Sequence, residues 1–254
     1  MEYYSKSRQF CLVLLMGSSS NSANILLIGR QKSSRRSKQI EKLIGQLHDL
    51  GFSVWRYASR GGNEDRTKSS FQNLKATCKQ KIEQAIYAKY SSYPGWLDYL
   101  SPSRSDTMMW ATELKKTLGQ CEKGKTFIIL SHSRGGRIGT YTDNLPIIKG
   151  HICFGYPFLN PEDGFGLSRV RHLKTIKTPT LIIQGRQDIY GGEEVAQLYR
   201  FSQGTSLHFV DSEHDYSCVS DEDSAEISKK VFSFLNTLGM PLPNACQSKL
   251  ELSA

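Results

Sequence analysis

The 254-residue chain lacks any apolar run of the 18 or more residues that a membrane-spanning helix requires, the longest near its start being Phe10 to Met16. It has no C-x-x-C pair. Its six cysteines (Cys11, Cys78, Cys121, Cys153, Cys218 and Cys246) are scattered, which argues against a disulfide framework or a zinc site and for free thiols in a reducing compartment. No internal repeat is present, and 38% hydrophobic with 22% charged residues is not the composition of a disordered chain. These absences leave a globular protein without a membrane span, expected in the cytoplasm. One stretch imitates a secretory signal: Lys6 and Arg8 precede Phe10 to Met16, and small residues follow up to Ala23. Its apolar core is at the lower limit for a signal, so residues 1–23 are expected to be a first strand or an arm.

What is present is a repeated alternation of short apolar strands with segments of helical period. It predicts an α/β fold with a mostly parallel, doubly wound central sheet covered by helices on both faces. The strand at Asn24 to Gly29 is followed by Ser37 to Leu50, with Ile40, Leu43, Ile44 and Leu47 at helical spacing and Gly51 as the stop. Phe52 to Tyr57 reads as the next strand and Thr67 to Ala88 as the next helix. Lys89 to Asp106 breaks the rhythm with Tyr90, Tyr93, Pro94, Trp96, Tyr99 and Pro102. Such an insertion can fold over a crevice as a partial lid, with Tyr93 and Trp96 as candidate substrate contacts, or be an ordinary packed excursion. A helix at Thr107 to Leu118, a strand at Gly150 to Tyr156, a helix near Glu193 to Phe201 and a closing helix at Asp223 to Leu238 complete one domain, 24–238. Residues 239–254, with Pro241 and Pro243, form a loose tail.

The net charge of +9 is concentrated, with Arg30, Lys32, Arg35, Arg36 and Lys38 crowded after the first central strand. The carboxyl ends of parallel strands face the ligand crevice, so Arg35 and Arg36 are candidate contacts for an anionic substrate. A solvated basic loop is the plainer reading of a charge run. No nucleic-acid-binding motif accompanies the charge, and no nucleic-acid partner is expected.

The chemistry lies in the middle. The apolar run Thr126 to Leu130 leads directly into Ser131-His132-Ser133-Arg134-Gly135-Gly136. A strand that turns at once into a helix pushes a serine hydroxyl into the open at the apex, and the tightness of the turn requires small residues two before and two after it. Here these are Ser131 and Gly135. Taking Ser131 as the nucleophile would put Ser133 where the freest residue belongs, so Ser133 is preferred. Downstream, the buried-strand pattern Thr180 to Gly185 is followed by Asp188, and Ser206 to Val210 is followed by His214. Glu162 and Asp163 are alternative acids. His48, His132, His151, His172 and His208 are alternative bases, but only His214 follows the last strand.

The order Ser133, Asp188, His214, with the segments Leu130 to Gly136, Cys153 to Phe158, Pro179 to Asp188 and Val210 to His214, resembles the α/β-hydrolase superfamily from about Asn24 to Leu235. The likeness is greatest to its small dienelactone-hydrolase-like branch, which includes the testis-expressed hydrolase-like proteins. The resemblance implies a serine hydrolase acting on an ester, thioester or related acyl bond of a small molecule through an acyl-enzyme, with no cofactor. Ser133 would be nucleophile, His214 base and Asp188 orienting acid. Backbone N–H groups of Arg134 and of Arg30 or Gln31 would stabilise the oxyanion. Two positions depart from the usual pattern: Ser131 stands in place of glycine, and Gly29-Arg30 in place of His-Gly. They motivate an alternative, a weakly active or inactive hydrolase-fold scaffold that binds a protein.

Overall fold

A computed structural model describes residues 2–4, 10–29, 37–59, 102–161, 164–165 and 167–240. The helix expected at Thr67 to Ala88, most of the 89–106 insertion with Tyr93 and Trp96, the stretch Arg30 to Arg36 including Gln31, the pair Glu162 and Asp163, and all but Gly239 and Met240 of the tail lie outside these residues.

Among the described residues eight strands form one sheet: β1 Glu2–Tyr4, β2 Phe10–Met16, β3 Ala23–Ile28, β4 Ser53–Ser59, β5 Thr126–His132, β6 Ile148–Phe154, β9 Thr180–Gly185 and β10 Thr205–Val210, while β7 Leu159–Asn160 and β8 Gly164–Phe165 make a separate hairpin. Their order across the main sheet is β1-β2-β4-β3-β5-β6-β9-β10. All pairings from β4 to β10 are parallel, and only β1 with β2 and β2 with β4 are antiparallel. Parallel neighbours need crossovers, which the helices supply.

Successive side chains of each strand enter opposite layers. Ile25, Leu27, Ile128, Leu130, Ile152 and Phe154 pack with Leu43 and Leu47 of α1 (Lys38–Asp49) and with Val231 and Leu235 of α6 (Asp221–Thr237). Leu26, Ile28, Phe127 and Ile129 pack with Leu114 and Leu118 of α2 (Pro102–Leu118) and Ile138 of α3 (Arg134–Tyr141). Strands buried on both faces explain why they read as unbroken apolar runs. Ser37 and Ser220 cap α1 and α6 by accepting the amides of Ile40 and Asp223.

Several element boundaries differ from the expectation, three of them for a visible local reason. The helix expected to start at Thr107 begins at Pro102, because proline is well suited to a first helical position, where its missing N–H is not needed. Residues 102–106 therefore belong to α2 and not to the insertion. Strand β6 stops at Phe154 and not at Tyr156, since Gly155 takes a φ of 55° and leaves extended geometry. The helix expected over Glu193 to Phe201 is the single turn α5 (Val195–Leu198), ended by extended backbone at Tyr199. The short α4 (Leu167–Val170) precedes β9. Among the described residues no helix is long and apolar enough to cross a membrane.

Candidate active site

Strand β5 lies between β3 and β6, and its chain turns at Ser133 into α3 with a φ of 56° and ψ of −125°. Positive φ is costly for a residue with a β-carbon and is held here by the strand on one side and the helix on the other. The Ser133 amide donates to the Phe154 carbonyl of β6 (3.0 Å), and the Ser133 carbonyl accepts from the Gly136 amide (2.8 Å). Gly135 is required by contact: a β-carbon there would sit 2.1 Å from the Ile28 carbonyl oxygen at the end of β3.

Asp188 lies just past β9 and His214 just past β10, so the parallel sheet delivers both to the edge where β5 delivers Ser133. His214 Nδ1 is 2.8 Å from Asp188 Oδ2, and His214 Nε2 is 2.8 Å from Ser133 Oγ. An ionised carboxylate only accepts, so Nδ1 carries the proton; Nε2 of the neutral ring then accepts from the serine hydroxyl. Asp188 is 5% exposed and His214 8%. A buried carboxylate needs partners, and Asp188 has two besides the imidazole. Its Oδ2 accepts from Gln184 Nε2 at 2.9 Å, and its Oδ1 from the Tyr190 amide at 2.8 Å.

The surroundings hold this relay from several sides. Gly155 lies against it, where a β-carbon would approach His214 Nδ1 to 3.1 Å and Asp188 Oδ2 to 3.3 Å. The Gly155 amide donates to the Tyr216 hydroxyl (2.8 Å), which donates to the Ile183 carbonyl (2.6 Å). The Tyr190 ring packs on the His214 ring with centroids 4.5 Å apart. Burial pushes the Tyr216 phenol well above the ordinary tyrosine range, which keeps it neutral as a donor.

Ser131 is elsewhere. Its hydroxyl is 2.7 Å from His151 Nε2, and the two residues are only 3% and 1% exposed. This second serine–histidine pair has no carboxylate on the other ring nitrogen, His151 Nδ1 being buried without a partner. Burial lowers the His151 pKa to about 3, so its ring is neutral at physiological pH. His208 is 3.8 Å from Glu226, His172 bonds Thr140, and His48 faces the Phe52 carbonyl. Arg134 opens α3, where backbone amides have no acceptor within the helix, as an oxyanion donor requires. Arg30 and Gln31, the expected sources of the second donor, and the basic pair Arg35 and Arg36 lie outside the described residues. Among those described, no group of three or more His, Cys, Asp and Glu side chains is placed to hold a metal ion.

Gln184, Tyr190, Gly155 and Tyr216 were not singled out from the sequence as parts of the site, and His132 was considered only as an alternative base. One signal existed: Gln184 is the lone amide-bearing side chain in a buried, mostly apolar strand, and such a group needs a dedicated partner.

A mostly parallel sheet whose central strand turns sharply into a helix at a serine, with acid and imidazole arriving from later strands, is the α/β-hydrolase fold. The chain belongs to that family: residues 101–234 match the family described as "Alpha/beta hydrolase domain". Among solved structures, it is similar to an esterase of Pyrococcus furiosus (13% identity, TM-score 0.56), over 93% of this chain and 90% of that one. A predicted CIB-like hydrolase from Thermoplasma acidophilum is similar at 16% identity and TM-score 0.54, over 93% and 98%. A serine hydrolase from Xanthomonas campestris, described as without lid, is similar at 11% identity and TM-score 0.52, over 96% and 94%. At such identities the likeness is one of fold. No curated protein matches the sequence.

Proposed function

We propose that the protein is a serine hydrolase of ester or thioester bonds in small acyl substrates, with Ser133 as nucleophile, His214 as general base and acid, and Asp188 as the group that orients His214. The observation that carries this reading is the continuous path from Ser133 Oγ through the imidazole to the Asp188 carboxylate, with both links at 2.8 Å. As Ser133 Oγ attacks the carbonyl carbon, its proton passes to His214 Nε2, and the buried carboxylate stabilises the imidazolium that forms. The tetrahedral oxyanion takes the Arg134 amide as one donor, with a second from Arg30 or Gln31. Collapse breaks the bond to the alcohol or thiol, which leaves with the proton from Nε2. Water, deprotonated by the same imidazole, then attacks the acyl-serine and returns the free enzyme and a carboxylic acid.

The buried surroundings of Ser131 favour Ser133 over it as nucleophile, since a hydroxyl enclosed between β5 and β6 cannot meet a substrate. A fluorophosphonate probe is expected to label the wild type and Ser131→Ala but not Ser133→Ala, and the wild type is expected to turn over p-nitrophenyl acetate. Absence of labelling in the folded wild type would discard the hydrolase reading and favour the non-catalytic scaffold.

A further inference from the structure

The proton that His214 takes from Ser133 is handed from Nε2 to the departing alcohol or thiol, so whatever is attached to that oxygen or sulfur must lie beside the imidazole. Strand order fixes the flank. In the run β3-β5-β6-β9-β10, Ser133 follows β5, the oxyanion donor expected after β3 lies to one side, and Asp188 and His214 arrive from β9 and β10 on the other. A leaving group therefore meets the residues of the β9 and β10 turns.

One of these is Tyr190. Its ring centroid is 4.5 Å from that of His214, whose Nε2 is 2.8 Å from Ser133 Oγ, so measured contacts place it at the reaction centre. Tyr190 and Ser133 are both only half-buried, unlike the enclosed Ser131 and His151. The turn that carries the ring is held firmly. The Tyr190 amide donates to Asp188 Oδ1 (2.8 Å), and its carbonyl accepts from the Leu159 amide (3.0 Å). The Gly191 amide donates to the Asp188 carbonyl (3.0 Å), and the Gly191 carbonyl accepts from Gln184 Nε2 (2.7 Å). An aromatic surface is thus set in advance beside the imidazole, and binding against it costs little reordering.

Aromatic faces and edges pair best with other aromatic rings, whose stacked or edge-to-face contacts add to the burial of apolar area. A cationic alcohol would meet the imidazolium that forms as Ser133 attacks, and like charges repel at this range. We propose that Tyr190 is the leaving-group contact, its ring receiving a neutral aromatic alcohol or thiol, so that the preferred substrates are aryl esters and aryl thioesters. This deepens the hydrolase reading and rests on Ser133 and His214 acting as described there.

The test compares 2-naphthyl acetate with hexafluoroisopropyl acetate, whose alcohols are of similar acidity but only one of which is aromatic, on the wild type, Tyr190→Phe and Tyr190→Ala. Both esters give the same acetyl-enzyme, and kcat/KM reads only the steps in which the leaving group is still present. The ratio of the two kcat/KM values, divided by the ratio of their rates with hydroxide, cancels intrinsic reactivity, the fraction of folded enzyme and any general disturbance of His214. The wild type is expected to favour the naphthyl ester by about threefold to tenfold, the worth of one aromatic contact. Tyr190→Phe should keep that preference and Tyr190→Ala should lose it. A corrected ratio near one in the wild type, or one unchanged in Tyr190→Ala, would overturn the leaving-group contact while leaving the hydrolase reading intact. If neither ester is turned over and a fluorophosphonate leaves Ser133 unlabelled, the hydrolase reading fails and the leaving-group contact falls with it.

Discussion

The rings of His132 and His214 lie 5.0 Å apart, and His132 Nε2 donates to the His214 backbone carbonyl at 2.8 Å. The residue before the serine at the elbow thereby ties down the loop that carries the imidazole, although 82 positions separate the two in sequence. His132→Phe keeps an aromatic ring but loses the donor. It is expected to lower kcat/KM by about fivefold to tenfold, the worth of one neutral hydrogen bond of about 1 kcal/mol, with far-UV circular dichroism unchanged. Ester turnover with the wild-type value would show that the loop is held without it.

Asp188→Asn tests the orienting role by its donors. Both carboxylate oxygens are acceptors, one for His214 and Gln184, the other for the Tyr190 amide. An asparagine must aim its NH2 at one of these groups, so the imidazole is pushed to the wrong tautomer or the loop loses a bond. A fall in kcat of roughly ten-thousandfold is expected, as for removal of this charge in other serine hydrolases, with Ser133 still in place. A loss under tenfold in steady-state turnover would remove Asp188 from the relay.

Gly135→Ala tests the elbow sterically. A β-carbon 2.1 Å from the Ile28 carbonyl cannot be accommodated by rotating a side chain, because the obstacle is backbone of the neighbouring strand. Separation of β3 from α3 should cost about 2 kcal/mol or more in urea unfolding. Ser133 labelling should fall further than stability does, since the turn itself is displaced.

His151 predicts the pH dependence of stability. Its folded-state pKa is about 3, lowered by complete burial, against about 6.5 when unfolded. Between these values the unfolded chain binds the extra proton, so stability is full above about pH 6.5 and falls as pH drops toward 3. His208, also lowered by desolvation, adds in the same direction. Tm measured from pH 7.5 to 4 should decline for the wild type, and the decline should be smaller for His151→Gln at any baseline stability. Equal slopes in the two proteins would show that His151 is not the group that titrates.

Much of the site was legible because its signals are local. The apolar run before Ser133, the small residues about it, and an acid and a histidine each placed just after a strand are all features of short segments. The strand–helix order was legible for the same reason. Element ends were less so: Pro102 opens a helix and Gly155 ends a strand, and each depends on which backbone geometry the neighbours impose.

By itself the sequence determined the alternation of strands and helices, the fold class and the serine at the turn, since hydrophobic period and turn sterics act within a few residues. Only the tertiary structure decided that His214 and Asp188 meet Ser133, that Gln184, Gly155 and Tyr216 brace them, that Ser131 is enclosed with His151, and that the Tyr190 ring lies against His214. These depend on contacts between segments distant in the chain, which sequence pattern does not encode and which parallel strand pairing brings within hydrogen-bond reach.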